Sequence, residues 1–212
     1  MAEGNNNMSE IKPSKIRLEA SSACQLKCPS CPRFKEAFRS VVGVVPYHEP
    51  ELKELLKHGL QTGNLKFAAA LPGSLKADIV MITVNTPAMP DGNCDLSYVY
   101  TAVKQVRDSI TGPIIMVMKS TVAPGTGVRL IKDYLQGTQI TYVSNPEFLR
   151  GGQGVYDWYH PSRIVMGTND YRAADKLLLI YSKIQAPVLV TDITSAEMIK
   201  YASNSFLATK VC

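Results

Sequence analysis

Residues 77–84 read ADIVMITV, an apolar run of strand length that ends at the polar tripeptide NTP. A run that is apolar at successive positions is typical of a strand buried on both faces of a sheet. Further runs of this kind follow along the chain at 114–118, 140–143, 163–167 and 187–190. Helical patterns separate these runs, and this alternation predicts an α/β fold, a parallel sheet with helices on both faces.

The first helical pattern begins near Pro50, which suits the first turn of a helix, and continues as a leucine stripe at 52, 55, 56 and 60. Asp95 is predicted to cap the next helix, whose apolar stripe runs from Leu96 to Ile110 before Gly112 and Pro113 end it. Later helices are predicted at 128–135, 171–184 and 195–209. The segment between the third and fourth strands is predicted to be a loop rich in glycine and aromatic residues.

The polar residues that follow the strands are the candidates for a functional site, because ligands of parallel sheets bind at the carboxyl ends of the strands. The three clusters are Asn85-Thr86-Pro87, Lys119-Ser120-Thr121 and Ser144-Asn145-Pro146-Glu147. We expect Thr86, Thr121 and Glu147 to converge on one edge of the sheet. Lys200 and Asn204 are four residues apart on the last predicted helix, so they share a face on which a negatively charged oxygen could be stabilised.

Simpler interpretations of these residues stay open at this point. Lys200 could form only a surface pair with Glu197, three positions earlier on the same helix. Glu147 could cap a turn after Pro146, and Thr121 could be an ordinary strand-end hydroxyl.

Composition excludes several classes of protein. The 212 residues carry 23 Lys+Arg and 18 Asp+Glu, and 45% are hydrophobic, which is typical of a globular chain. The near balance of charge beyond residue 40 argues against a nucleic-acid stripe, and no apolar run is long enough to predict a membrane span. The polar N-terminus lacks the apolar core of a secretory signal, so a cytoplasmic location is expected. Five cysteines are too few, and odd in number, for a disulfide scaffold.

Several stretches between about residues 43 and 210 resemble the UDP-glucose 6-dehydrogenases, within the UDP-glucose/GDP-mannose dehydrogenase family. They are VPYHEPELKELL, VNTPAMPDGNCDLSYV, KSTVAPGTG, NPEFLRGG with PSRIVMG, and TDITSAEMIKYASNSFLATK. The resemblance implies a Rossmann-like sheet and oxidation of the C6 alcohol of a nucleotide sugar to a carboxylate, in two hydride transfers to two NAD. It also implies a homodimer, and UDP-glucose is preferred over GDP-mannose as the substrate.

The resemblance further implies roles for individual residues. Thr86 and Thr121 lie along the NAD path, and Thr121 helps to hold a catalytic water. Glu147 contacts the cofactor and acts with that water as acid and base. The remaining implied residues line the sugar-nucleotide pocket (Phe148, Leu149 and Arg150) or stabilise the oxyanion at C6 (Lys200 and Asn204).

Two parts of the family's machinery are not found in the sequence. A Rossmann domain binds pyrophosphate at a G-x-G-x-x-G turn, and the nearest match, at Gly125 and Gly127, follows the wrong strand and has Leu130 in place of the third glycine. The family's thiol nucleophile has no counterpart, since Cys94 is interpreted as a small buried or turn residue and Cys212 does not match either. Gly151 also stands where the family usually carries Glu.

We therefore expect a truncated and inactive dehydrogenase that lacks the first βαβ unit and the C-terminal domain. Its expected divisions are an N-terminal segment at 1–42, a partial NAD-binding domain at 43–193, and the start of a long central helix at 194–212.

Cys24, Cys28 and Cys31 have C-x3-C-x2-C spacing, and residues 11–42 around them resemble the cluster loop of radical S-adenosylmethionine enzymes. In that family three thiolates bind a [4Fe-4S] cluster, and its fourth iron binds S-adenosylmethionine. Free thiols in a fragment, or a bound zinc ion, are the alternatives. The change of resemblance near Gly43 is interpreted as two joined gene segments. A radical S-adenosylmethionine protein and a non-catalytic nucleotide-sugar-binding module stay open as alternative functions.

Overall fold

A five-stranded sheet organises the chain in a computed structural model that describes residues 51–68 and 71–211. The strands follow one another in the sheet in chain order: β1 (Ile79–Ile82), β2 (Ile114–Met118), β3 (Ile140–Ser144), β4 (Ile164–Gly167) and β5 (Val188–Thr191). Strands β1, β2 and β3 are parallel and adjacent, as predicted, and β4 is parallel to β5. The carboxyl ends of the first three strands therefore meet at one edge.

The sheet is mostly parallel, as predicted, and departs from that arrangement only between β3 and β4. These strands are antiparallel and pair where both end, at Ser144 and Gly167. A parallel return needs a crossover that spans the sheet, usually a helix, whereas this connection holds only the six-residue helix α4 (Gly154–Tyr159). Such a helix is about 9 Å long, so the chain turns back at the carboxyl edge. Helix α4 also corrects the prediction of an irregular loop here. The helix numbers used below follow chain order.

The helices lie on both faces of the sheet. Their bounds are α1 (Leu52–Gln61), α2 (Ser97–Ser109), α3 (Thr126–Leu130, continued by a π-helical turn at Ile131–Leu135), α5 (Tyr171–Leu178, continued by a 3-10 turn at Leu179–Tyr181) and α6 (Ile193–Val211). Val80 and Ile82 belong to the core layer of α2, and the alternate residues Ile79 and Met81 belong to that of α5. Strand β1 is thus buried on both faces, as its sequence predicts.

Helix α6 starts close to the carboxyl edge of the sheet. Its first turn is held by Asp192, whose carboxylate accepts a hydrogen bond from the amide of Ser195 at 2.9 Å. The helix packs directly on β4, because Gly167 has no side chain: a Cβ there would lie 2.5 Å from that of Ala196. This close approach carries the following turns of α6, with Glu197 and Lys200, across the strand ends.

Helix α1 forms where the leucine stripe predicts it. None of its residues is buried against the part of the chain that the structure describes, and its leucines stay 37% to 48% exposed. Among the described residues, no helix combines the length and the apolar character needed to cross a bilayer.

Candidate functional site

The loops that follow β1 and β2 are joined at the edge of the sheet. Thr86 is buried, and its hydroxyl donates a hydrogen bond to the carbonyl oxygen of Thr121 at 2.8 Å. Ser120 reinforces the junction by donating to the carbonyl oxygen of Val84 at 2.7 Å. The predicted convergence of Thr86 and Thr121 is therefore confirmed, while their roles toward NAD stay predictions.

Glu147, in the loop after β3, and Lys200, on helix α6, form an ion pair. The Nζ atom of Lys200 lies 3.4 Å from Oε1 of Glu147. Lys200 is buried, with 8% of its side chain exposed, whereas the Glu147 side chain is 37% exposed. The second carboxylate oxygen of Glu147 accepts a hydrogen bond from the amide of Leu149, which fixes the carboxylate. The interpretation of Lys200 as a surface partner of Glu197 is wrong.

Glu197 bonds instead to the backbone at the start of α3. Its carboxylate oxygens accept hydrogen bonds from the amides of Gly125 at 2.7 Å and Gly127 at 2.8 Å. Burial raises the pKa of this carboxyl, and the backbone donors partly oppose that rise. Gly127 must be glycine, since a Cβ would lie 2.5 Å from the Ile193 side chain and 2.6 Å from that of Tyr142. Helix α6 is thereby anchored one turn before Lys200.

Phe148 lies beneath two cations. The guanidinium carbon of Arg163 is 4.1 Å from the centre of the Phe148 ring, and Nζ of Lys200 is 5.2 Å from it. Arg163 also donates a hydrogen bond to the hydroxyl of Ser203 on α6 at 2.8 Å. Sequence reasoning missed Arg163, because nothing in its position at the start of a strand indicates that it reaches back to α6.

Leu149 and Arg150 lie on the exposed side of the same loop. The guanidinium of Arg150 is 2.6 Å from the carboxylate of Asp157 on α4, and its backbone amide donates to the same carboxylate. The neighbouring Arg150 holds the pKa of Asp157 below its usual value. Their role in lining a pocket stays a prediction, as does that of the half-buried Asn204, one turn beyond Lys200.

Lys119 follows β2, and its direct contacts are the uncharged side chains of Asn145, Tyr181 and Trp158. Its ammonium donates hydrogen bonds to Oδ1 of Asn145 at 3.2 Å and to the hydroxyl of Tyr181 at 3.3 Å, and it lies 5.7 Å from the centre of the Trp158 ring. Desolvation is the main cause that lowers the pKa of Lys119 to about 8. The sequence placed Lys119 at a strand end but predicted no role for it.

Cys94, interpreted from the sequence as a small buried or turn residue, is half-buried and forms an isolated antiparallel bridge with Ala88. Its thiol donates a weak hydrogen bond to the carbonyl oxygen of Thr86 at 3.7 Å. Burial, with a smaller contribution from Cys94, raises the pKa of Tyr201 on α6 to about 12. These contacts tie the loop after β1 to the helix that carries Lys200.

Residues 40–185, more than half of the chain, match the UDP-glucose/GDP-mannose dehydrogenase family, NAD binding domain. The chain belongs to this family. Among curated members it is 42% identical over 174 residues to the UDP-glucose 6-dehydrogenase YwqF of Bacillus subtilis, covering 80% of this chain and 40% of that protein. It is 43% identical over 172 residues to the UDP-glucose 6-dehydrogenase of Rickettsia conorii, covering 79% and 40%.

Solved structures of the family have the same fold. A UDP-glucose dehydrogenase from Pyrobaculum islandicum aligns with a TM-score of 0.68 at 38% identity, over 84% of this chain and 43% of that one. A GDP-mannose dehydrogenase from Pseudomonas aeruginosa, solved as a ternary complex, aligns with a TM-score of 0.71 at 33% identity, over 78% and 41%. The chain thus spans about two fifths of the length of the family members it matches.

The cysteines Cys24, Cys28 and Cys31 lie outside both the described residues and the family match, so the cluster and free-thiol alternatives both stay open. Within residues 51–68 and 71–211, no group of three or more His, Cys, Asp or Glu is placed to hold a metal ion. The dehydrogenase family assignment accounts for the remaining motifs and gives no support to the radical S-adenosylmethionine alternative.

Proposed function

We propose that this chain supplies the cofactor-side part of an NAD-dependent dehydrogenase that oxidises the C6 alcohol of UDP-glucose to a carboxylate in two hydride transfers. The observation that carries the proposal is the ion pair between Glu147 and the buried Lys200, at the edge where Thr86 and Thr121 meet. The names of the curated family members, UDP-glucose 6-dehydrogenases at about 40% identity, support this substrate over GDP-mannose.

Lys200 and Asn204 stabilise negative charge on the O6 oxygen. An alcohol that loses a hydride must also lose its hydroxyl proton, and negative charge develops on the oxygen as that proton leaves. The ammonium of Lys200 is buried, so its field is less screened than that of a surface lysine. Asn204, one turn further along α6, adds an amide donor on the same face.

Glu147 and Thr121 manage the protons and the water. The Glu147 carboxylate is held by Lys200 and by the amide of Leu149, yet more than a third of its side chain is exposed. A carboxylate that is fixed on one side and open on the other can accept a proton from a water molecule. The Thr121 hydroxyl, on the neighbouring loop, is the second ligand that we propose for that water.

The described residues fit one part of NAD and not another. The strand ends present the hydroxyl, amide and carboxylate groups that suit the ribose and nicotinamide portions. The glycine turn at the start of α3 gives two of its amides to Glu197, so they are not free for pyrophosphate. NAD would supply the hydride acceptor here, and because each NAD takes only one hydride, the two oxidation steps would use two NAD in succession.

Phe148, Leu149 and Arg150 complete the proposal as residues of the sugar-nucleotide pocket. Phe206 and Leu207 are 65% and 55% exposed near the end of α6. Apolar side chains so exposed on the last turns of a helix support a homodimer formed through α6. The cytoplasmic location stays a prediction.

The test is a calorimetric measurement of UDP-glucose binding to the 212-residue chain, together with an assay for NADH formation. Lys200→Met should lower the affinity about tenfold or more, because a buried charge that faces the ligand is removed. Lys210→Met, an exposed lysine on the same helix, is the matched control and should leave the affinity unchanged. Failure to bind UDP-glucose would contradict the proposal. No NADH is expected from this chain alone, so UDP-glucose binding is the deciding measurement, and steady NADH formation that Lys200→Met abolishes would contradict the expected inactivity.

A further inference from the structure

We propose that Lys119 is a positioning residue of this site, which fixes the loop carrying Glu147 through Asn145 and shares the charge of Glu147 with Lys200. The inference rests on the proposed function for its purpose, since Glu147 is the proposed acid and base. The contacts of Lys119 on which the inference depends are all with other residues of this chain. In this proposal Lys119 acts through Asn145 and Glu147 and makes no contact with the reacting atoms.

The hydrogen bonds of Asn145 give the first step of the argument. Asn145 is 1% exposed, and its side chain accepts from Lys119 at 3.2 Å and from the hydroxyl of Tyr181 at 2.6 Å. Its amide group donates to the carbonyl oxygen of Val165 on β4 at 2.7 Å. Asn145 therefore ties the end of β3 to the antiparallel strand, and Glu147 follows only two residues later. Removing the ammonium of Lys119 takes away one of the two donors that hold Oδ1.

The charges around Lys119 give the second step. The charged and titratable groups that face it are Glu147 on the loop after β3, Lys200 on α6 and Tyr181 at the end of α5. Burial lowers the pKa of Lys119 to about 8, Glu147 opposes the shift, and Lys200 adds to it. The Glu147 carboxylate thus lies in the field of two ammonium groups, of which only that of Lys200 is directly paired with it. Loss of the proton from Lys119 leaves Lys200 as the main counter-charge.

Trp158 gives the chain a built-in reporter of this proton. It is the single tryptophan of the sequence, and its ring centre lies 5.7 Å from Nζ of Lys119. The ring of Tyr181 lies 5.5 Å from it. A charge at this distance changes the emission of an indole, so deprotonation of Lys119 is expected to appear in the fluorescence.

The first test is a pH titration of Trp158 fluorescence in the whole chain, from about pH 6 to about pH 10. We expect a transition with a midpoint near pH 8 in the unchanged protein, and none in Lys119→Met. Lys104→Met is the matched control, because Lys104 is an exposed lysine over a different ring, that of Tyr134; it should keep the transition. The proposal is overturned if the transition survives in Lys119→Met or is absent from the unchanged protein.

A second variant covers the case in which Lys119→Met fails to fold. Tyr181→Phe keeps the ring and removes the hydroxyl that accepts from Lys119, which makes the ammonium form less stable. The fluorescence midpoint should then move to lower pH. An unchanged midpoint would contradict the assignment of the transition to Lys119.

The third measurement distinguishes positioning from a purely structural role. In protein labelled with carbon-13 at the glutamate carboxyl, the Glu147 resonance is identified by its loss in Glu147→Gln. It should shift with the same midpoint as Trp158, and this shift should vanish in Lys119→Met. If the Glu147 resonance does not shift at the pH midpoint of the Trp158 fluorescence, Lys119 has only a structural role in the core and the proposal is overturned. None of these measurements needs a substrate, so they test the role of Lys119 even if the proposed dehydrogenase activity is not found.

Discussion

Nζ of Lys200 lies 3.4 Å from Oε1 of Glu147, although 53 positions separate the two residues in the chain. The lysine is buried and the carboxylate is partly open to solvent. This asymmetry makes the pair more than a surface contact, because the cation depends on the carboxylate for its charge balance.

Glu147→Gln should destabilise the protein by about 1–3 kcal/mol, less than a fully buried pair would lose, since it leaves the Lys200 ammonium buried without a counter-charge. Urea unfolding measures this change. Glu54→Gln, which breaks the exposed pair with Lys57, is the control and should have little effect. An equal loss of unfolding free energy in both variants would show that the burial of Lys200 does not increase the cost of removing its partner.

Glu197→Gln should alter the pH dependence of stability. Burial raises the pKa of Glu197 in the folded state above its ordinary value near 4.5. The folded protein therefore holds this proton more tightly than the unfolded chain does. The free energy that Glu197 contributes to folding then decreases as the pH rises from about 4.5 through the raised pKa. The free energies of unfolding of the unchanged protein and of Glu197→Gln should be compared from about pH 4 to about pH 7. The unchanged protein should lose stability relative to the variant as the pH rises through this range. A constant difference would contradict the expectation.

Gly127→Ala should destabilise the protein by about 1–3 kcal/mol, because the added methyl group overlaps Ile193 and Tyr142. Thermal unfolding measures the effect. Gly73→Ala is the matched control, since a Cβ at Gly73 meets nothing within 4 Å. Gly127→Ala with control-like stability would mean that α6 can move away from α3 at little cost.

Arg163→Met should lower stability by about 1–2 kcal/mol, through loss of the contact with Phe148 and of the hydrogen bond to Ser203. A double-mutant cycle with Phe148→Leu isolates the ring contact, for which we expect a coupling of about 0.5–1 kcal/mol. Arg172→Met, at an arginine with 91% of its side chain exposed, should change nothing. Additive effects in the cycle would remove Phe148 from the explanation.

Anaerobic reconstitution with iron and sulfide should leave the protein colourless. Residues beyond 40 match a dehydrogenase domain, and the described part of the chain adds no metal-binding cluster to the three cysteines at 24, 28 and 31. Visible absorption and iron content measure the outcome. Broad visible absorption that Cys28→Ser abolishes would instead establish a cluster.

The sequence predicts the strands well because burial on both faces leaves a continuous apolar run, as in Ile79–Ile82 and Ile114–Met118. It also predicts that Thr86, Thr121 and Glu147 follow strands whose carboxyl ends meet. It does not predict the reversal at β4 or the short helix α4. Periodicity describes neighbours along the chain, whereas these features depend on how a glycine-rich connection turns in space.

The same limit explains the missed side-chain contacts. Arg163 and Ser203 are 40 positions apart, and Lys119 and Tyr181 are 62 apart. No local spacing rule relates them. Glu197 is the opposite case: the rule for helical neighbours paired it with Lys200, but its buried carboxylate accepts from two glycine amides across the fold.

The bonds from Glu197 to Gly125 and Gly127 also constrain how α6 can move relative to the loop after β2. If α6 swings outward, it must either release these two amides or carry the loop after β2 with it. Their protons can exchange with solvent deuterium only when that release occurs, because each is covered by a carboxylate that itself excludes water. The exchange rate of these two amides therefore reports how readily Glu197 on α6 separates from the start of α3.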